Sequence, residues 1–178
     1  ENAASLEDAR TEIAENEEKQ EDARIEVADG EKELEDAKSE LASKESQYSS
    51  AQRQYNQQKS KLDAARTELN NQLTALGLST DLDEALLALD AFGEAGAPLK
   101  SAIQEYQAGE SQLAAANRQL QASSSALQSA RNQIASAEQE LEDARQELAD
   151  SEQELADAKQ ELADGEQELA DAKIELED

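Results

Sequence analysis

The chain has 178 residues and a net charge of −27, and it contains no Cys, His, Met or Trp. The lack of imidazole and thiol groups excludes the usual zinc sites, haem ligation and catalysis by these groups. The negative charge argues against nucleic-acid binding, which needs a basic surface. No apolar run approaches the roughly 20 residues of a membrane span, and no signal peptide is recognised. Two classes remain, a disordered acidic chain or a coiled coil.

A seven-residue repeat decides in favour of the coiled coil. In the first half of the chain, ten of eleven residues at this spacing are large and apolar or aromatic, from Leu6 to Leu76. In the second half, all twelve residues from Leu99 to Leu176 fit the same pattern. A strict heptad sustained over this length is typical of a left-handed coiled coil. We call these large residues position a.

Position d, three residues after each large residue, is mostly small, as at Ala23, Gly30, Ala144 and Ser151. A parallel pair would stack large on large and leave a gap at every small layer. An antiparallel pair places one large residue against one small residue in every layer, which fills space evenly. The pattern therefore favours antiparallel helices.

The heptad stops between residues 77 and 98, where Gly77 can end a helix and Pro98 can begin the next. The predicted fold is all-α: a long antiparallel two-helix coiled-coil hairpin with a short helical tip. An ascending helix covers residues 1–76, the tip covers 77–98, and a descending helix covers 99–178. Each arm has about 75 residues, or roughly 110 Å at the helical rise.

Charges at position e, four residues after each large residue, predict how the arms align. Their sign alternates from Arg10 to Glu45 in the first arm and from Arg131 to Lys173 in the second. One alignment makes six pairs opposite in sign: Arg10–Glu166, Glu17–Lys159, Arg24–Glu152, Glu31–Arg145, Lys38–Glu138 and Glu45–Arg131. We expect the seam residues of this alignment to pair Leu6 with Ala172 and Leu76 with Ala102, so that their numbers add to 178 and Glu1 lies beside Asp178.

Two features interrupt this simple seam. At position g, Glu12, Glu26, Glu33 and Glu40 are expected to face Glu168, Glu154, Glu147 and Glu140, which costs stability at low salt. Five polar residues occupy seam positions, and we interpret them as fixing the register or softening the seam. They are Asn16, Gln20, Lys44, Gln58 and Gln72. Tyr48 and Tyr55 are interpreted as gap-filling seam residues.

The tip is the most apolar stretch of the chain. Ser79 or Thr80 is the predicted N-cap of a helix of about ten residues, and Gly93 and Gly96 end it. In one interpretation this helix covers the open end of the coil and buries Leu76, Leu78 and Leu99. In the other it presents an apolar surface to a partner, such as an extracellular protein. The candidate partner-binding residues are Leu82, Leu86, Leu87, Leu89 and Phe92.

Nothing in the sequence predicts an enzyme, a cofactor or a metal site. Asp81-x-Asp83 resembles the start of a calcium loop, but the glycine and glutamate that such a loop requires later are replaced by Leu86 and Phe92. Carboxylates are abundant, but an exposed helix offers no pocket that would tune them for catalysis. Phosphate-binding and nucleophile motifs are missing as well.

The run LEDARQELADSEQELADAKQELADGEQEL at residues 141–169, and VADGEKELEDAKSEL at 27–41, carry a family resemblance. They resemble repeats in the extracytoplasmic coiled coil of FtsX-like (MacB-like) ABC transporter permeases of Gram-positive bacteria. The resemblance implies a place on the outer side of the cell membrane. It also implies the transmembrane part of the same permease and an ATPase subunit as partners. The rod would then bind a partner or transmit ATP-driven motion.

Other assignments stay open. The LADG element also occurs in YhgE/Pip-like membrane proteins, which suggests a structural coiled-coil spacer, either monomeric or dimeric. A parallel dimer predicts a continuous fibre, and the break at residues 77–98 argues against it. An acidic chain that folds only on binding predicts weak helicity alone. A coiled coil of the SMC type would join ATPase heads. The permease interpretation predicts a monomeric hairpin.

Overall fold

The computed structural model describes residues 2–177, and the side chains of residues 4–175. Helix α1 spans Asn2–Ala75, helix α2 spans Leu82–Leu89, a 3₁₀ helix spans Asp90–Gly96, and helix α3 spans Ala97–Glu177. No strand occurs in this part of the chain. The predicted all-α hairpin with a short helical tip is confirmed. Helix α1 ends one residue earlier than predicted, and helix α3 begins two residues earlier than predicted.

The described chain forms two compact units. The first contains Glu1–Glu40 and Arg131–Asp178, so it joins the start of α1 to the end of α3. Ile13, Gln20 and Leu155 are buried along its seam. The predicted closeness of Glu1 and Asp178, and the seam side chain of Leu176, lie outside the described residues.

Ion pairs run along position e of the first unit as the sequence predicts. Arg10 and Arg24 each reach a glutamate of the other arm, Glu166 and Glu152, at 2.7 Å. The other pairs that cross between the arms are Glu17–Lys159, Glu31–Arg145 and Lys38–Glu138. Five of the six predicted pairs are thus confirmed. The sixth, Glu45 with Arg131, joins residues of different units and stays a prediction.

The predicted seam register is wrong by one heptad. The side-chain amide of Gln20 donates to the carbonyl oxygen of Ser151 at 2.6 Å, whereas the sequence placed Ala158 opposite it. A Cβ built on Gly30 would lie 3.2 Å from Leu141 Cδ1, and one on Gly165 would lie 3.0 Å from Leu6 Cδ2. In each of these contacts the residue numbers add to 171 and not to 178.

The direction of helical side chains explains why the charge pairs hold while the seam shifts. A side chain leans toward the N-terminus of its own helix. When seam partners add to 171, Arg10 lies several residues further along α1 than the residue that is level with Glu166. The two side chains therefore lean toward one another. The predicted seam would make them lean apart. The large-against-small rule itself survives, because Leu6 and Leu141 each meet a glycine.

The second unit, Leu41–Ala130, contains the rest of both long helices and the tip. The same register continues here, since a Cβ on Gly109 would lie 2.7 Å from Leu62 Cδ1. Its main core is a cluster at the tip, made by Leu69, Leu73, Leu82, Ala85, Leu89, Leu99 and Ile103. This cluster holds the completely covered side chains Leu73, Leu89 and Ile103.

Candidate functional site

The tip begins with a tight helix ending. Gly77 has φ of +71°, a left-handed conformation that an L side chain rarely adopts. The amide of Leu78 donates to the carbonyl of Leu73 at 2.9 Å, and the amide of Gly77 donates to that of Thr74 at 3.0 Å. These two bonds satisfy carbonyls at the end of α1. The predicted C-cap at Gly77 is confirmed.

Helix α2 begins at a different cap from the one predicted. The carboxylate of Asp81, not Ser79 or Thr80, accepts from the amides of Asp83 and Glu84 at 3.0 and 3.1 Å. Ser79 Oγ accepts one step earlier, from the amide of Asp81. An aspartate at this position satisfies two free amides and complements the positive end of the helix. Asp81 is therefore the N-cap of α2.

The inner face of α2 packs on the ends of the long helices. Leu82 and Leu89 are buried against Leu69, Leu73 and Ile103, and Leu86 is half-buried beside them. Two of the five predicted partner-binding residues are thus core residues and cannot present a surface. The interpretation of α2 as a covering helix holds for Leu99, which is buried, and in part for Leu78. It is wrong for Leu76, whose side chain is 50% exposed, because Leu73 takes the inner position instead.

The outer face of the tip carries the remaining two candidates. Leu87 is 75% exposed and Phe92 is 44% exposed. Directly after Phe92 the chain turns at Gly93, whose φ is +55°. Gly96 then packs so closely that an added Cβ would lie 2.7 Å from the carbonyl oxygen of Leu89. The structure therefore leaves Leu87 and Phe92 as the part of the predicted site that a partner can reach.

Three polar contacts fasten the tip to the long helices. Arg66 of α1 donates to the carbonyl of Thr80 at 2.9 Å, and Gln107 of α3 donates to Asp83 at 3.0 Å. Lys100 forms an ion pair with Asp90. These contacts tie both arms to the tip segment. They indicate that Leu87 and Phe92 stand on a fixed support and not on a free loop.

The tip segment is acidic as well as apolar. Residues 77–98 contain Asp81, Asp83, Glu84, Asp90 and Glu94 and no Lys or Arg. The outward leucine and phenylalanine thus belong to an acidic segment of the chain. A protein that covers them would need an apolar depression with basic residues at its edge.

Sequence reasoning missed several residues that build this site. Leu73 and Ile103 occupy position e, where the coil elsewhere carries charged or polar residues, and the heptad pattern did not single them out. The sequence did offer one signal of their burial, since both are apolar and lie in the layers next to the break at residues 77–98. Sequence reasoning also missed the contact between Arg66 and Tyr106, in which the guanidinium lies 5.4 Å from the ring centre. Burial, and then the hydrogen bond donated to Glu110, raise the pKa of Tyr106.

The polar seam residues differ in burial and in their contacts. Gln20 is buried and bonds to the backbone and the hydroxyl of Ser151. Asn16 is half-buried, whereas Lys44, Gln58 and Gln72 are exposed. Tyr48 and Tyr55 are half-buried, in agreement with their interpretation as seam residues.

Within the described residues, no group of three or more acidic side chains is arranged to hold a metal ion. No described helix has an apolar stretch long enough to cross a membrane. No known protein family, curated protein or solved structure matches this chain.

Proposed function

We propose that this chain is a non-enzymatic extracellular coiled-coil domain of an ABC transporter permease. In this proposal it acts as a rod that binds a partner or transmits ATP-driven motion across the membrane. The repeats at residues 27–41 and 141–169 support the family assignment by their resemblance to such permeases. The contact geometry supports the role of an inserted module.

The observation that carries the proposal is the pairing of the two outer helix ends. Leu6 of α1 reaches Gly165 of α3, and Arg10 binds Glu166. A hairpin whose two ends lie side by side can be inserted into a loop of a larger protein without disturbing the host fold. Insertion of this kind between membrane-spanning segments is what the permease resemblance implies.

The tip supplies a second element of the proposal. Leu87 and Phe92 are exposed on the fastened tip, within an acidic segment of the chain. An extracellular protein with a basic, apolar depression is the partner that this chemistry fits.

Fractionation of the source cells tests the location. Antibodies raised against the isolated chain should detect a larger protein in the membrane fraction. Protease added to intact cells should remove the antibody signal, and immunoprecipitation after mild solubilisation should recover an ATPase. A protein found only in the soluble interior would contradict the proposal. A surface protein without an ATPase would favour a structural spacer of the YhgE/Pip-like kind.

Substitution of the tip tests partner binding. Leu87→Ala and Phe92→Ala should leave the melting temperature of the hairpin within a degree or two, because these side chains are exposed. In the full-length protein they should reduce recovery of the extracellular partner. A large loss of stability would instead show that these residues only cover the coil.

A further inference from the structure

A band of the second unit is free of acidic residues. Residues 46–62 and 111–137 are the two longest stretches of the chain without Asp or Glu, although the chain has 43 such residues. The seam register places residues 46–60 alongside 111–125 within the second unit. We call residues 46–60 and 111–125 the acid-free band. Its cations are Arg53, Lys59 and Arg118.

The band has an open seam. A groove of about 640 Å³ follows one side and is lined by Tyr48, Tyr55, Leu120 and Leu127 together with glutamine side chains. A second groove, of about 380 Å³, is lined by the same two tyrosines and Leu120 and by serine, asparagine and glutamine side chains. Ala51 and Gln58, which occupy position d of the first arm, are exposed here. Apolar seam surface is thus reachable from both sides of the coil.

The distribution of charge along the chain indicates which partner can cover the band. A second copy of the chain also carries −27, so contact elsewhere along the arms would bring carboxylates against carboxylates. Within the band no carboxylate meets another, and its three cations repel less than the many carboxylates of the arms would. Of these cations, Lys59 is in an ion pair with a described residue, Asp63, whereas Arg53 and Arg118 are in none.

The side chains of the band can pair with a copy of themselves. Amides of Gln and Asn and hydroxyls of Ser both donate and accept hydrogen bonds. A two-fold symmetric interface brings one patch against the same patch of the partner, which a carboxylate surface cannot tolerate but an amide and hydroxyl surface can. Gln47, Gln54 and Gln119 line the larger groove and supply such groups.

We propose that two copies of this chain associate side by side through the acid-free band. The band is about 22 Å long and about 20 Å wide by helical rise and diameter. This face is smaller than the roughly 800 Å² per partner of a standard interface, so the association is weak. More of the chain should associate where copies are held close together, as on a membrane, because the local concentration is higher there. The inference does not depend on the proposed function, because it rests on this chain alone.

Sedimentation equilibrium of the full chain, over a wide concentration range and at low and high salt, tests the proposal. We expect a monomer that passes to a dimer, with tighter association at high salt, because salt screens repulsion between the acidic arms. A chain that stays monomeric at all concentrations and at high salt overturns the proposal. Association that weakens with salt also overturns it, since that would place band cations on another copy's acidic arm.

A matched pair of double variants locates the interface. Gln54→Glu with Gln119→Glu adds two charges to exposed positions of the band. Ser39→Glu with Gln133→Glu adds two charges to exposed positions of the first unit. Helical circular dichroism checks that both variants fold. The band variant should weaken association at least tenfold while the control should not, and equal weakening by both overturns the assignment to the band.

Discussion

At the scale of single residues, two leucines of α2 have different surroundings. One is buried in the tip cluster, and the other is exposed to solvent. Leu89 is 1% exposed and packs in the tip cluster, whereas Leu87, two positions earlier, faces solvent. The cost of truncation should therefore differ sharply between two residues of identical chemistry.

Leu89→Ala should lower the free energy of unfolding by about 2–4 kcal/mol, from lost transfer energy and the cavity left behind. Leu87→Ala is the matched control and should change it by less than about 0.5 kcal/mol. Chemical denaturation followed by circular dichroism measures both. Similar losses for the two variants would contradict the described orientation of α2.

Tyr106 provides a titration signal at the base of the tip. Its pKa lies above the ordinary value of about 10, because burial and the hydrogen bond to Glu110 favour the neutral phenol. A raised pKa means that the folded chain holds this proton more tightly than the unfolded chain does. The associated stability is present below the ordinary pKa and is lost as pH rises through the raised value.

A spectroscopic titration of tyrosinate, wild type against Tyr106→Phe, measures this pKa. The difference curve should have its midpoint above the ordinary tyrosine value. Tyr106→Phe should also be less sensitive than the wild type to alkaline unfolding. A difference midpoint at or below the ordinary value would show that the phenol is solvated.

At the scale of elements, the seam of the first unit has one register that experiment can fix. Gln20 bonds to Ser151, while the sequence alone placed Ala158 opposite it. Because the chain has no native Cys, introduced thiols report on one pair only.

The double variant Gln20→Cys with Ser151→Cys should be joined rapidly by a short bismaleimide. Gln20→Cys with Ala158→Cys should be joined at least tenfold more slowly, since it tests the register one heptad away. Electrophoretic mobility under denaturing conditions separates linked from open chains. Preferential linking of the second pair would restore the register predicted from the sequence.

The sequence was sufficient for the arms, the break and the charge pairs. Strict heptads located α1 and α3, and alternating charge selected partners such as Arg24 and Glu152. It was insufficient for the seam, because large and small layers repeat every seven residues and a slip of one heptad looks equally good. Only the lean of side chains toward each N-terminus separates the two registers.

The tip was predicted less completely. Its glycines and apolar residues located a short helix, but they did not show which leucines point inward. Burial of Leu82 and Leu89 depends on Leu73 and Ile103, which lie at position e of the long helices and outside the seam pattern. This is a three-dimensional relation between distant segments that no local spacing contains.

At the scale of the whole molecule, negative charge greatly exceeds positive charge. There are 43 acidic and 16 basic side chains, so most carboxylates have no cation to neutralise them. Extended to position g, the observed register should set Glu12, Glu26 and Glu33 opposite Glu161, Glu147 and Glu140, and Glu40 opposite Gln133. This edge of the first unit stays acidic in either register.

Added sodium chloride or millimolar calcium should therefore raise the melting temperature, with calcium acting as a diffuse counter-ion. Screening also weakens the exposed ion pairs, but each contributes less than about 1 kcal/mol, so relief of repulsion dominates. Each kcal/mol gained should add about 2–4 °C. Calorimetry measures this shift, and a flat or falling melting temperature with both additions would contradict it.

The contacts of the tip also set an order of events during folding. Arg66 and Thr80 are 14 residues apart, and Asp83 and Gln107 are 24 apart, whereas Arg10 and Glu166 are 156 apart. The entropy lost in closing a loop grows with its length, so the tip contacts form at the lowest cost. Once they exist, each further layer closes only the next short step. The hairpin should zip from its tip toward the paired helix ends and fray in the opposite order.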